Sequence, residues 1–267
     1  MLSALLLLGG CSKELERPGT DVLEQTYPVD PNARLKIRNL RGSISVRGAD
    51  TAELKLRATK RTENAVQLPN INISVAAETS SVSISTSVLP QKKKSPSGGV
   101  GTVDYVLVVP RTVSIARLEL EDGEVLIEGM EGEDVRATVV DGQLTVRNCC
   151  GNVHLAIANG DLDLSYQNCG QRLFLAEAQI THGNARVSIP RDASFRARAE
   201  TMKGKIANDF ADMVQVNSRS VRKIDVSVGP NARSELALRV TTGDISIVAV
   251  RPDPAIGPQT VSSTANE

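Results

Sequence analysis

Apolar and polar residues alternate along most of this chain in short runs, and a glycine opens many of the runs. The motif reads Gly42-Ser43-Ile44-Ser45-Val46, Gly123-Glu124-Val125-Leu126-Ile127 and Gly142-Gln143-Leu144-Thr145-Val146. It returns as Gly160-Asp161-Leu162-Asp163-Leu164, Gly183-Asn184-Ala185-Arg186-Val187 and Gly243-Asp244-Ile245-Ser246-Ile247. Through the middle of the chain the glycines recur roughly every 20 residues, a period that marks a stacked repeat. Alternation by two puts Val125, Ile127, Leu144, Val146, Leu162 and Leu164 on one side, with Glu124, Thr145 and Asp163 on the other. The repeat unit is therefore a strand, and no segment sustains a helical period.

Other strands follow the same rule. Leu35 and Ile37 alternate with Lys36 and Arg38, and Leu54 and Leu56 with Lys55 and Arg57. Val103 to Pro110 is a strong strand that stops at proline, which cannot donate to a ladder. Asp122-Gly123, Asp141-Gly142 and Asn159-Gly160 read as turns between strands. One coil cannot bury its apolar face alone, so the pattern predicts an all-β, single-stranded β-solenoid of one domain, residues 27–250. Each strand should bond to the coils above and below, about 4.8 Å away.

Composition narrows the function classes. The chain has 267 residues, with 31 basic and 31 acidic side chains. A balanced charge argues against nucleic acid as a partner, which would call for a basic surplus on one face. Aromatics are 2% and tryptophan is absent, which weakens a sugar-stacking role. Glu and Arg are scattered at outward strand positions instead of converging as acid and base, so no enzyme activity and no catalytic residue are expected. No cofactor is implied. The acids beside the repeat glycines, Asp122, Asp141, Asp161 and Asp244, could stack to hold a cation such as calcium, but tight turns favour Asx residues in any case.

The amino terminus carries a different signal. Met1 to Gly10 is apolar, with Leu5-Leu6-Leu7-Leu8, too short to span a bilayer and suited to the hydrophobic part of a secretory signal. Leu8-Gly9-Gly10-Cys11 resembles the bacterial lipobox, which implies lipidation of Cys11 and attachment to a membrane. No Lys or Arg precedes the apolar run, so the expectation is that the true start lies upstream. Ser12, where an aspartate would resemble an inner-membrane retention signal, leans towards the outer membrane of the cell envelope. Residues 11–26 read as a flexible tether and residues 251–267 as a disordered tail.

Cysteine offers one further constellation. Asn148-Cys149 and Asn168-Cys169 lie about one coil apart, so Cys169 can meet Cys149 or Cys150 within disulfide reach. An exported chain meets an oxidising compartment, which favours such a bridge; buried unbridged thiols are the alternative. His154 and His182, the only histidines, have no ligand spacing with the cysteines, so no metal site is expected.

Leu35 to Val46, Val103 to Pro110, the run of Asp-Gly and Asn-Gly coils, Val187-Ser188-Ile189-Pro190 and Thr242-Gly243-Asp244-Ile245 together resemble the bacterial family of candidate adhesins known as DUF4097 β-strand repeat proteins. The resemblance implies a right-handed β-solenoid (β-helix) on an exported, membrane-tethered protein. It brings no catalytic residues. The expected function is a lipid-anchored envelope module for non-catalytic adhesion or binding of an envelope polymer or protein. The alternative is a structural or stress-response component acting through protein contacts or end-to-end assembly.

Overall fold

In the computed structural model, the described residues are 17–89, 101–167, 173–211, 214–230 and 232–251. They form the expected all-β body. Its centre is a parallel stack of three long bent strands, β7 (Ser114–Glu128), β8 (Asp134–Arg147) and β9 (Gly151–Ser165), resting on β2 (Arg34–Ala49).

Each long strand carries its glycine in the middle. Hydrogen bonding continues through Gly123, Gly142 and Gly160, so the chain bends there without reversing. The glycines mark corners, and the expectation of turns between separate strands is corrected accordingly. Each coil thus has a first arm before the glycine and a second arm after it. The last inward residue of the first arm and the first of the second are Leu120 and Val125, Val139 and Leu144, Ile157 and Leu162. That odd spacing flips the in-out parity, which an unbroken strand of period two could not do.

The corner is closed to any other residue. Gly123, Gly142 and Gly160 have φ of 137°, 139° and 140°. A Cβ on Gly142 would lie 1.8 Å from the carbonyl oxygen of Gly123, and one on Gly160 would lie 1.7 Å from that of Gly142. The same contact links Gly42, Gly183, Gly243 and Gly204 into one column along the stack.

Beyond β9 the coils split at the corner into separate strands. β10 (Phe174–His182) and β11 (Ala185–Pro190) follow β9 in space. The next coil in space is the last in sequence, β16 (Ser234–Thr242) and β17 (Ile245–Val250). It lies between β10–β11 and the coil made by β12 (Phe195–Lys203) and β13 (Ile206–Asn208). The first arm then ends in antiparallel strands, β15 (Lys223–Val228) on β12 and β14 (Val214–Arg219) on β15. The chain doubles back, so its final coil is interior and a three-residue strand is left at the second arm's edge. Short edges limit pairing with other chains.

The opposite end closes in the same manner. β5 (Ser81–Val88) and β6 (Thr102–Pro110) stack on the two arms of β2, and β4 (Ile71–Glu78) pairs antiparallel with β5. β3 (Glu53–Thr62) pairs with β6, and β1 (Gly19–Pro28) with β3. Among the described residues β1 starts at Gly19, inside the segment 11–26 expected to be a tether. β1 is an edge strand with both faces largely in water, so it carries no apolar alternation that a sequence could display. Backbone pairing holds it, with ion pairs from Lys60 to Asp21 (3.1 Å) and Arg57 to Glu24 (3.4 Å).

The core fills the bend between the arms. Val125, Ile127, Leu144, Val146, Leu162 and Leu164 are all buried in one cluster, as expected. Glu124, next to the corner glycine, is exposed, whereas Thr145 and Asp163, which pair with each other two positions further along the arm, are half-buried. All three phenylalanines collect near the late coils. Tyr166 stacks on Phe174 at 4.2 Å, and Phe195 meets Phe210 edge to face at 5.2 Å.

Two predictions test this packing by thermal melting. Gly142→Ala should destabilise the protein by about 3 kcal/mol or more, because it combines a strained φ with a backbone clash. Leu144→Asp should cost several kcal/mol by burying an unpaired charge. Thr145→Asp should cost about 1 kcal/mol or less, and equal damage from it would overturn the in-out register.

Candidate functional site

The corner acids serve the stack itself. The Oδ1 of Asp161 accepts the backbone N–H of Asn184 at 2.7 Å, Asn184 Oδ1 accepts from Asp244 N–H at 2.9 Å, and Asp244 Oδ1 from Lys205 N–H at 2.8 Å. Asp104 does the same for Ser43 N–H at 2.9 Å. An Asx side chain at the corner, after the glycine in Asp161, Asn184 and Asp244 and after Val103 in Asp104, thus reaches one coil further and takes a backbone N–H there. The recurring Gly-Asx pair was the visible signal, though it read as turn chemistry. Asp122 pairs with Arg41 at 3.1 Å, and Asp141 accepts from Asn159 at 2.8 Å. Among the described residues no group of three or more His, Cys, Asp or Glu is placed to hold a metal.

The column also needs polar groups at its two ends. At the position of Leu120 and Val139, β2 carries Asn39 and β12 carries Thr201, both buried. Asn39 Nδ2 donates to the carbonyl of Val103 at 2.7 Å, and Thr201 Oγ1 to that of Gly243 at 2.8 Å. Buried side chains at these two coils satisfy carbonyls that would otherwise cost free energy unpaired.

The cysteine region lies at the junction of β8, β9 and β10. Asn148 has φ 51°, in the left-handed region that asparagine tolerates, and its Oδ1 accepts from Gln167 N–H at 2.8 Å. This kink turns Cys149 into the core, where it is a free thiol near the carbonyl of Arg147 at 3.4 Å. Cys150 is disulfide-bonded. Cys169 and Cys11 lie outside the described residues. Burial pushes the Cys149 thiol up to about 12. Burial, with Cys149 beside it, also raises the Tyr166 phenol, whose hydroxyl has no hydrogen-bond partner among the described residues. Tyr105, also buried, shares a 2.7 Å hydrogen bond with Thr86. Because the thiolate is the nucleophile, Cys149 should resist iodoacetamide in the folded protein at about pH 8 and react once guanidinium unfolds it. Mass spectrometry of alkylated peptides reads the difference.

The outer face of the first arm holds the densest chemistry. One row crosses the strands as Arg136, His154, Glu177, Ala237, Arg198 and Asp225. Above and below Ala237 on its own strand stand Glu235 and Arg239. A small side chain ringed by long charged ones leaves a notch of about 260 Å³. Its walls are held by the ion pairs Arg198 to Glu235 at 2.6 Å and Lys223 to Glu200 at 3.8 Å, and Glu177 contacts His154 Nδ1 at 3.4 Å. Arg196 grips Asp225 with two bonds of 2.9 and 2.7 Å, a geometry that fixes the β12–β15 wall. Of the cations on the wall, Arg239 has no ion-pair partner among the described residues. None of this was legible as a site, because residues 175–239 meet here out of sequence order.

The geometry defines a class: a one-domain stack of bent β-coils with a glycine corner, and outward charges paired to one another. The chain belongs to the Toastrack DUF4097 family, which it matches over residues 26–248. Its fold is shared with a candidate cell adhesion protein from Clostridium sporogenes, at TM-score 0.53 and 12% identity over 86% of this chain and 100% of that one. A candidate adhesin from Bacteroides fragilis is more distant, with TM-score 0.34 and 9% identity over 85% of this chain and 97% of that one. Among curated proteins, none is similar in sequence to this chain.

Proposed function

We propose that this protein is a lipid-anchored component of the bacterial cell envelope that binds an envelope or surface polymer, without catalysis, through the outer face of its first arm. The notch at Ala237 carries this reading. It is a pocket on a broad charged face, and its carboxylates Glu235, Glu200 and Asp225 are committed to ion pairs that a general acid or base would have to break. Its strands also stand at the far end of the stack from β1, the strand nearest the lipobox. In the second arm eight pairings separate β1 from β17, roughly 40 Å at about 4.8 Å per step. An anchor at Cys11 would present the notch away from its membrane. The Clostridium sporogenes neighbour, a candidate cell adhesion protein, fits such a role.

End-to-end assembly, the structural alternative, has less support, since both ends of the first arm close in antiparallel strands. A monomer by solution mass agrees with the lateral reading. Cys150 is proposed to bridge to Cys169 across adjoining coils, which non-reducing peptide mapping tests.

Two experiments decide the main points. Cys11→Ser should abolish fatty-acid labelling and release the protein from membranes, and unchanged fractionation would remove the anchor. Arg239→Glu should lower co-sedimentation with isolated envelopes at least about fivefold, a loss of roughly 1 kcal/mol. Arg186→Glu, an exposed change on the outer face of the second arm, should not. Equal retention of all three proteins would overturn the assignment of the first arm.

A further inference from the structure

The chemistry of the notch narrows its ligand, given the binding role proposed above. Four carboxylates, Glu177, Glu200, Asp225 and Glu235, face three cations, Arg198, Lys223 and Arg239. A polyanion lying across this surface would meet more negative than positive charge, and a polycation would have to displace cations already paired. The partners still available are of opposite sign and form one diagonal of a square whose other corners are Ala237 and Gln179, with Glu200, paired to Lys223, on the far side of Arg239. Arg239 is without an ion pair among the described residues, and Gln179 sits beside it in register as a neutral donor. Glu177 contacts His154 Nδ1 at 3.4 Å and has no Arg or Lys partner among the described residues.

We infer that the notch binds a short zwitterionic peptide segment, with a carboxylate on Arg239 and Gln179 and an amine on Glu177, the chain crossing the notch beside Ala237. Arg239 can grip a carboxylate with two parallel N–H donors, a geometry lysine cannot offer. On a sheet face, neighbouring strands lie about 4.8 Å apart and alternate residues about 6.6 Å apart, so the two charges sit roughly 8 Å apart at their backbones. That span fits opposite charges carried on alternate residues of an extended peptide, which share one face, and exceeds the separation within one amino acid. Ala237 is the specificity element, because any longer side chain there fills the path. The location depends on the doubled-back coil: β16 supplies Ala237 and Arg239, β10 supplies Glu177, and the β12–β15 wall is braced by the Arg196–Asp225 pair.

The test uses the full chain and three synthetic peptides of equal length: one alternating Glu and Lys with Gly between them (Glu-Gly-Lys-Gly repeats, so that both charges share a face), poly-Glu and poly-Lys, titrated by calorimetry at low salt. The alternating peptide should bind, and each homopolymer at least tenfold more weakly. Ala237→Leu should reduce binding tenfold or more with an unchanged melting temperature. Arg239→Gln should weaken binding and flatten its dependence on salt. No binding of the alternating peptide, poly-Glu binding equally well, or an unaffected Ala237→Leu would each overturn the inference. If envelopes are still retained in an Arg239-dependent way while the peptide fails, the broader adhesion reading survives and only the ligand class falls.

Discussion

Every coil of this protein must turn a corner at the same height, and only a residue without a Cβ can stand there. The carbonyl of one corner glycine occupies the space in which the next glycine's side chain would begin. Successive coils therefore cannot slip past one another by a residue without driving a Cβ into backbone. The bend also resets the in-out parity, so the apolar sets of both arms face one shared interior. From this contact follow the parallel register, the stacked branched side chains and the line of Asx side chains that repair hydrogen bonding at the bend. Gly is entropically costly in a strand, and the close approach is what justifies it here.

Each coil is stabilised by its neighbours, so the ends are the weak points of such a stack. At the corner column the two end coils replace an inward aliphatic with Asn39 or Thr201, each bonded to a carbonyl of the next coil. Antiparallel strands and the short β13 limit the open ladders, and the last coil in sequence is kept inside. Between β2 and β7, Arg38, Arg41 and Arg47 meet Glu121, Asp122 and Glu128 at 3.5, 3.1 and 3.3 Å. These exposed pairs contribute little energy, about 0–1 kcal/mol each, yet they favour one register over its alternatives.

Around the first arm's outer face, Arg196, Arg198 and Lys223 are each held by a carboxylate of a neighbouring strand. The uneven place is where Ala237 interrupts a row of long charged residues and leaves both volume and, among the described residues, a guanidinium with no ion-pair partner. The cysteine junction is buried chemistry of another kind. Its free thiol is held out of reach by the packing that positions the adjoining disulfide-bonded Cys150.

The sequence by itself determined the strand content, the inward set from Val125 to Leu164 and the place of each corner, because period-two alternation and glycine spacing are local properties of the chain. It showed the Gly-Asx pairs without their purpose, since a side chain that bonds to the next coil looks the same as one that closes a turn. It hid β1, whose exposed faces carry no alternation, within a segment that read as a tether. Only the tertiary structure decided that β16–β17 inserts between β10–β11 and β12–β13. That choice depends on which edges remain open once the other coils have stacked, a property of the assembled sheet that no local pattern encodes. The same insertion brings Glu177, Ala237 and Arg198 into one row, so the notch exists only in the folded molecule.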